Sequence, residues 1–595
     1  MKRVFLSYAK EDVEAAEQLA TWLREKDVEV FWWQDPAQRG GRIRGVLEEQ
    51  LRIADHFFAL MSEHYLASRW CQLECDVAIG RDDMVIKVIQ VGGGEPSQAG
   101  FLGIYDWLSP DHRKLSAALD FDSGNGRREP PPFQNRDDEL AQVKNALRTS
   151  GGQDLWVVFS PPRMGKSWFL QRLRTEVESS WEQVKVLDLR QEPADLRIDP
   201  ARLLNALLGV TVEPSADRTL TQEARLDIAR QVRKRRRTQL YLLDSADLLD
   251  RSCAAELRSA LFQVHRMIGP TTNGDRFGVV VGTRRHSDWR GVTNGRFEPV
   301  ALSEFTVSTV RKTIEGYGRT RNDDEAAACA TLLHGTSEGL PALLTSWLMW
   351  AKDKDFLGLT EAECARHFHE VVDPYVKNDL LAVESLVPAY GVDLARTSTI
   401  IEHALRVLVV YRVFTRSHLN SRLETDEQFG REIRQAGWSV DGLWEAVSNT
   451  SLIEQNTDLW RCVNPPIRRL LYRYYYRTDG DRATANADAQ RFYRGWIEKA
   501  AGLEQPKVML ECLWHETSRL LAERPHSLGD TLPGLAAQLA SEFITSTMYG
   551  RAEMGQFLEA TLRDDTELLH ALSGYEGLHD QVLASIIASI SEDRS

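Results

Sequence analysis

Short apolar runs alternate with amphipathic stretches over the N-terminal part of the chain. RVFLSY reads as a strand, DVEAAEQLATWLREK repeats its apolar positions at helical spacing, VEVFWW is a second strand and IRGVLEEQLRIAD a second helix. HFFALMS, a helical stretch holding SRWCQLECDVAIG, and MVIKVIQV carry the alternation on. This order predicts a parallel sheet with helices on both faces and a site at the carboxyl ends of its strands. The pattern stops at DSGNGRREPPP, where glycine, proline and charge replace periodicity. It resumes near Phe133 with the helix RDDELAQVKNALRTS and the strand DLWVVFS. VKVLDL, TQLYLLD and FGVVVGT follow, separated by helices, and predict a second α/β domain. From about Ser303 the spacing is mostly helical, with a break expected near RTDGDRATANAD and a small β-wing at LIEQNTDLWRCVN. The last stretch has no convincing repeat period, so a solenoid is not expected. The fold class expected is therefore multidomain, α/β followed by α.

At 595 residues the chain exceeds what one core can serve, and the usual domain size predicts three to five units. No run of about 18 apolar residues occurs and MKRVFLSYAKED is no signal peptide, so a cytoplasmic protein with no membrane partner is expected. The seven cysteines are scattered and form no CxxC pair, which predicts reduced thiols rather than a zinc site or a disulfide framework. HFHE, residues 367 to 370, lacks nearby partner ligands and reads as a solvated or packed helical pair, with a partial metal site as the alternative. A formal charge of -14 argues against a mainly phosphate-binding surface. The one dense basic run, RKRRR from Arg233 to Arg237, ends a helical pattern, where cations favour the helix carbonyl end; polyanion binding is the alternative.

SPPRMGKS, Ser160 to Ser167, follows a strand and opens a helix. It fits GxxxxGK[ST] except that Ser160 stands where the first glycine would be. In that geometry the backbone N–H groups around Gly165 surround phosphate oxygens, Lys166 meets the β and γ phosphates, and Ser167 ligates Mg2+. QLYLLDSAD delivers Asp244 to a strand end, where it would hold the Mg2+ shell, with Asp247 a candidate for positioning water. FGVVVGTRR brings Arg284 to a third strand end, as a γ-phosphate sensor or an ordinary surface arginine.

In their order, PFQNRDDEL, the phosphate loop, the Asp244 strand, GTR, LSEF and GTSEGLPALL resemble a STAND ATPase, the signalling branch of P-loop ATPases that includes NACHT and NB-ARC proteins. The resemblance covers about residues 133 to 350 and implies an ATP/ADP switch with Mg2+. It implies that Pro341, in GLP, belongs to a helical lid near the adenine and sugar; a plain helix start is the alternative. NPPIRRLLYRYY resembles the end of a winged-helix domain, but Asn464 stands where many relatives have an ADP-contacting histidine, and that departure puts the usual ADP lock in question. Such a switch requires different nucleotide affinities in its two states. DSAD in place of adjacent acidic residues implies slow hydrolysis, if ATP is hydrolysed at all.

VFLSYAKED, VFWWQD with Trp33 and Asp35, a glycine-containing loop, the strand ending at Ser62 and the W-x-x-x-E of Trp70 and Glu74 resemble a TIR domain over about residues 1 to 122. A flavodoxin-like sheet is implied. Trp70 and Glu74 stand on one side of a helix at i and i+4. TIR domains are either assembly adaptors or enzymes that split NAD+ between nicotinamide and ribose. Cleavage passes through an oxocarbenium-like state that needs nearby negative charge and an aromatic surface. By resemblance Glu74 is the catalytic carboxylate and Trp70 packs by the substrate, with Ser7, Tyr8 and Lys10 lining the NAD+ pocket; a core tryptophan beside a solvated glutamate is the other reading of the pair, and a solvated lysine that of Lys10. Of Trp32 and Trp33, one faces inward, and sequence does not choose between core and pocket. Asp35, Gly40, Gly41 and Arg42 belong to the loop that in relatives packs against a neighbouring TIR domain, which implies a homo-oligomer on activation.

The expected division is a TIR domain at 1–122, a linker at 123–132, a STAND core at 133–302, a helical lid at 303–358, a winged-helix-like region at 359–480 and a helical regulatory region at 481–595. The family reading is an NLR-like antiviral (anti-phage) effector: a TIR NADase driven by a nucleotide switch. Its trigger, a viral protein or a nucleic acid among the candidates, is not legible. A non-catalytic TIR scaffold and a nucleotide-switched nucleic-acid binder are the rivals.

Overall fold

The computed structural model describes residues 3–592 except 27, 33–49, 52, 69–70, 72–73, 76–77, 79–83, 94–106, 110–135, 149–153, 191, 214–217, 236, 269–275, 285, 290–296, 317–322, 352–358, 382–393, 456–459, 498–503 and 544–550. Trp33, Asp35, Gly40, Gly41, Arg42, Trp70, the linker at 123–132 and most of the helix expected at IRGVLEEQLRIAD lie outside the described residues. Two compact units divide at Gly391.

The first sheet is parallel throughout, with strands β1 (Arg3–Ser7), β2 (Glu29–Trp32), β3 (His56–Met61), β4 (Val85–Gln90) and β5 (Trp107–Leu108) in the order β2-β1-β3-β4-β5. That is the flavodoxin-like order, whose direction of winding reverses between β1 and β3. Alternation decides the faces. Phe5, Phe57, Ala59 and Met61 pack with Tyr65, Cys71 and Cys75 on one side, while Val4, Leu6, Tyr8, Phe58 and Leu60 pack with Leu19 and Leu23 on the other. The short edge strand β5 had no periodicity to announce it.

The second sheet is also parallel: β6 (Leu155–Phe159), β7 (Gln183–Asp188), β8 (Gln239–Asp244), β9 (Phe277–Thr283) and β10 (Glu298–Ala301), in the order β10-β6-β9-β8-β7. The helices Asp137–Arg148 and Lys166–Val177 cover one face through Leu140, Val143, Phe169 and Leu173. The helices Pro200–Leu208, Gln222–Lys234 and Arg251–Ile268 cover the other. Strand β10 escaped the sequence reading because it contains Pro299; a proline cannot donate to a ladder and is tolerated at an edge, where β10 lies. In the basic run, Arg235 donates to the carbonyls of Leu208, at 2.5 Å, and Gly209, at 2.7 Å. It caps the C-terminal end of the neighbouring helix, where a cation is favourable.

Beyond this sheet the chain turns helical at Val307. Gly339 links the helices Asp323–Ser337 and Pro341–Trp350 with φ +67°, and its carbonyl accepts from the Phe305 N–H at 2.8 Å. A Cβ there would stand 2.5 Å from the Phe305 carbonyl oxygen. Gly339→Ala is expected to destabilise the fold by about 2 kcal/mol or more, through left-handed strain plus that collision. Gly335→Ala, in open space inside the preceding helix, is expected to be neutral or mildly stabilising. Urea midpoints of the two variants check this. Equal midpoints would mean that the turn relaxes freely.

Among the described residues of 392–595 the chain is mostly helical, and its strands are the antiparallel pair β11 (Ile453–Gln455) and β12 (Arg461–Val463), at the small β-wing expected at LIEQNTDLWRCVN. The junction near RTDGDRATANAD is only Tyr476–Thr478, between helices ending at Tyr475 and starting at Asp479. Thr478 and Asp481 cap each other's backbone N–H at 3.0 and 3.1 Å, so most of that polar segment is a capped helix start. Arg412 pairs with Glu511 at 2.8 Å and Asp565 at 2.6 Å, and Arg468 with Glu567 at 2.8 Å. Both guanidinium groups stack on Trp514. These buried pairs join the hairpin region to the last helices, and removing one partner of such a pair typically costs about 3–5 kcal/mol.

The seven cysteines are free thiols. HFHE lies on the helix Glu361–Tyr375, where His367 Nδ1 meets Glu370 Oε2 at 2.7 Å. Among the described residues no helix is long and apolar enough to cross a membrane, and no three His, Cys, Asp or Glu side chains are grouped to hold a metal ion.

Candidate functional site

Two sets of chemical groups lie at carboxyl edges, one on each sheet. In the first, Cys71, Glu74, Cys75 and Ala78 are helical and buried, the i, i+3, i+4, i+7 spacing of an inward face. Glu74 is thus an ionisable group on an apolar stripe, with 6% of its surface exposed. Such a group requires a partner. Ser7, the last residue of β1, supplies one: its hydroxyl donates to Glu74 Oε2 at 2.6 Å. Ser7 Oγ also lies 3.0 Å from the Tyr65 hydroxyl. A serine hydroxyl has one proton, so with that proton on Glu74 the phenol donates to Ser7, giving a directed chain Tyr65, Ser7, Glu74. Burial, with Cys75 and Cys71 adding, pushes the Tyr65 phenol well above its ordinary pKa and keeps it a donor. The chain sits at the winding reversal between β1 and β3, where Ser7 pairs with Ala59.

Sequence reasoning missed Tyr65 as a site residue. Its signal was present: a tyrosine on the short helix Glu63–Ala67 directly after a strand end, in the segment that leads to Glu74. The other expected residues separate. Tyr8 is buried on the opposite face of the sheet from Ser7, its ring 6.0 Å from that of Trp32, which is half-buried there. Lys10 is exposed on the turn Lys10–Asp12. Asp12, two residues on, accepts from the Ser62 hydroxyl at 2.5 Å.

In the second set, the loop from β6 enters the helix Lys166–Val177 through Arg163, at φ 60°, and Gly165, at φ 89°. Left-handed residues spaced in this way turn successive N–H groups toward one concavity, and the first N–H groups of a helix have no intrahelical acceptor. Lys166 is buried and folds back on the loop, donating to the Ser160 carbonyl at 2.7 Å, the Pro161 carbonyl at 2.8 Å and Ser160 Oγ at 3.1 Å. The serine in place of glycine therefore supplies an acceptor for the lysine. Burial, then the positive charge of Arg284, lowers the Lys166 pKa to about 7.

Asp188 and Asp244 are register partners at the ends of β7 and β8. Burial, then the charge of Asp188, raises the Asp244 carboxyl pKa. Arg190, which the sequence reading did not single out, reaches both carboxylates and Ser167. Asp247 accepts from the Arg284 backbone N–H at 3.1 Å and faces its guanidinium Nε at 3.4 Å, so the proposed water-positioning and sensor residues are joined to each other. Two buried carboxylates, a hydroxyl and a nest of N–H groups fit a Mg2+–nucleotide: Ser167 and Asp244 would hold the ion and Lys166 with the loop the phosphates.

Two further residues hold this loop in place. Arg136, 3% exposed, donates to the carbonyls of Met164 at 3.4 Å and Ser303 at 2.7 Å. The Tyr375 hydroxyl donates to the Pro162 carbonyl at 3.4 Å. Pro341 is buried at the first turn of its helix, joined to the Phe305 segment through Gly339. Trp168, next to Ser167, packs against the cluster of the first domain that contains Tyr65, Cys71 and Cys75.

The family model described as "TIR domain" matches residues 4–114, so the N-terminal sheet is a TIR domain. No curated protein matches the chain. Solved structures similar to it include a Walker-type ATPase of Pyrococcus abyssi, at 13% identity over 57% of this chain and 96% of that one, with a TM-score of 0.35. Orc1 of Aeropyrum pernix in complex with DNA is 12% identical over 58% of this chain and 94% of that one, with a TM-score of 0.31. A RuvB variant of Thermotoga maritima is 12% identical over 57% and 95%, with a TM-score of 0.29. Superpositions this loose leave the nucleotide site to be argued from its own geometry.

Proposed function

We propose that this chain is a nucleotide-switched TIR effector of the STAND type, whose N-terminal domain hydrolyses the nicotinamide–ribose bond of NAD+ once copies assemble. The observation that carries the reading is the Ser7–Glu74 bond at the winding reversal of a TIR sheet. Water adds to the ribose carbon as nicotinamide leaves with the bonding pair, yielding ADP-ribose and a proton. Positive charge builds on the ribose before water arrives, and a fixed carboxylate nearby lowers that barrier. Ser7 keeps the carboxylate oriented; Trp70, by resemblance, packs beside the nicotinamide end. Glu74 is buried, so substrate access requires the segment that carries it to move, which fits activation by assembly through Asp35, Gly40, Gly41 and Arg42.

In this reading ATP and Mg2+ occupy the second site, and the ATP-bound form opens and self-associates in the cytoplasm. Pro341 closes on the nucleotide, the hairpin region acts as a winged-helix element, and residues 481–595 receive an unidentified trigger, a viral protein or nucleic acid. NAD+ loss would then deny an infecting phage its host. Trp168 supports direct coupling, because it stands between a phosphate-binding serine and the cluster around Tyr65. A half-buried indole contributes on the order of 1.5–3 kcal/mol of contact. Trp168→Ala is accordingly expected to raise NAD+ loss without ATP by about tenfold and to flatten the ATP response. An unchanged response would remove this contact from the switch.

The test of the whole reading follows NAD+ over time with concentrated protein, with and without ATP and Mg2+, while light scattering reports particle size. NAD+ loss that tracks assembly supports it. Intact NAD+ in a large assembly supports the scaffold alternative. Salt-sensitive binding of a polyanion through the Arg233 to Arg237 run would favour the nucleic-acid reading, although Arg235 is already engaged as a helix cap.

A further inference from the structure

Arg190 lies two residues beyond the end of β7. Its Nη2 is 2.8 Å from Asp188 Oδ2, 3.2 Å from Ser167 Oγ and 3.4 Å from Asp244 Oδ2, and its Nε is 3.1 Å from Asp188 Oδ1. Three oxygen groups from three separate elements thus converge on one guanidinium. They are the hydroxyl that follows the phosphate-loop lysine and two carboxylates that are only 7% exposed. Hard oxygen donors arranged in this way are also what Mg2+ selects.

We infer that Arg190 is a resident counter-cation which occupies the divalent-ion position, and that the guanidinium and the metal exclude one another. The inference rests on the nucleotide-binding reading for its physiological setting, though not for its measurement. Two adjacent buried carboxylates repel each other, and with no metal that repulsion opposes folding unless another cation stands between them. Arg190 meets this need. Its side chain is 40% exposed, so it has solvent to move into when a metal arrives. The arrangement also makes Asp188 a further carboxylate facing the ion, beside Asp244 and Ser167. An arriving Mg2+–nucleotide displaces the arginine, whose charge then lies at the mouth of the phosphate loop. Metal alone has to expel the same charge without the phosphates to compensate, so metal and nucleotide bind together rather than singly.

The experiment measures Mn2+ binding to the full chain without nucleotide, by the loss of the free-ion electron paramagnetic resonance signal. Wild type, Arg190→Gln and the double variant Arg190→Gln with Asp188→Asn are compared. Arg190→Gln is expected to bind Mn2+ at least tenfold more tightly than wild type, and the double variant to lose most of that gain. Thermal midpoints provide a second readout: Mn2+ should raise the midpoint of Arg190→Gln more than that of wild type. Equal Mn2+ affinity in wild type and a folded Arg190→Gln overturns the inference. So does a gain that survives Asp188→Asn, because the ion would then be bound elsewhere. ATP binding by wild type in Mg2+ is measured in parallel: its absence alongside a Mn2+ gain rejects the nucleotide reading and leaves the exclusion standing, while its presence without the gain does the reverse.

Discussion

Glu74→Gln is expected to slow NAD+ loss by about 10²–10³-fold while leaving assembly unchanged. Glutamine has nearly the shape of glutamate, and its carbonyl can still accept from Ser7 Oγ, which now lies 2.6 Å from Oε2. What disappears is the negative charge. Removing one preorganised electrostatic group from a site where charge develops typically costs this much. The unfolding midpoint should move little, or upward, because a buried charge on an apolar face has been replaced by a neutral amide. NAD+ and nicotinamide are quantified chromatographically, with particle size from light scattering on the same samples. Activity within tenfold of wild type in an assembled sample would take Glu74 out of the chemistry.

Lys166→Ala is expected to abolish measurable ATP binding, and with it every ATP-dependent change in particle size and NAD+ loss. The lysine offers the only ammonium group directed into this loop among the described residues, and without nucleotide its three acceptors are the Ser160 carbonyl and hydroxyl and the Pro161 carbonyl. The wild-type lysine also makes binding depend on pH. Its pKa in the nucleotide-free fold is lowered to about 7 from an ordinary 10.5, burial being the main cause. Between those values the unfolded chain holds a proton that the native chain lacks. This group's contribution to stability therefore rises with pH across that window and is smallest below about 7. Phosphate binding requires the charged form, so above pH 7 each binding event takes up a proton and affinity falls by up to about tenfold per pH unit. Calorimetry at pH 8 in two buffers of different ionisation enthalpy should report uptake approaching one proton. No uptake would mean that the lysine is already charged before the nucleotide arrives. ATP binding by Lys166→Ala at wild-type affinity would remove this loop from the nucleotide site.

The candidate sites divide in the same way as these two experiments. Lys166 was singled out by a local strand–loop–helix pattern, whereas Glu74 was singled out by resemblance to TIR domains, because the i, i+4 spacing of Trp70 and Glu74 does not by itself separate an ordinary helix face from a site. Their partners were legible only in part. Ser7 was named from its place at a strand end. Tyr65 was passed over because a tyrosine on a short helix has the same appearance in sequence whether or not its hydroxyl meets a serine 58 positions away. Arg190 was passed over for the same reason: it reads as an ordinary polar residue after a strand, and its importance comes from Ser167 and Asp244, which lie 23 and 54 positions from it.

Sequence by itself determined where the strands β1 to β4 and β6 to β9 run, because a side-chain period of two or of 3.6 is local information, whereas the edge strands β5 and β10 carried no such signal. It also determined which strand ends carry Ser7, Asp244 and Arg284, and that the second half of the chain is mostly helical. Tertiary structure alone decided the strand orders, β2-β1-β3-β4-β5 and β10-β6-β9-β8-β7, and so which strand ends are neighbours. It decided that Tyr8 faces away from Ser7, that Trp168 packs against the TIR domain, and that Arg190 stands between two carboxylates. These are long-range juxtapositions. They depend on how separate elements bury their apolar faces together, and no window of sequence short enough to show a repeat contains both partners.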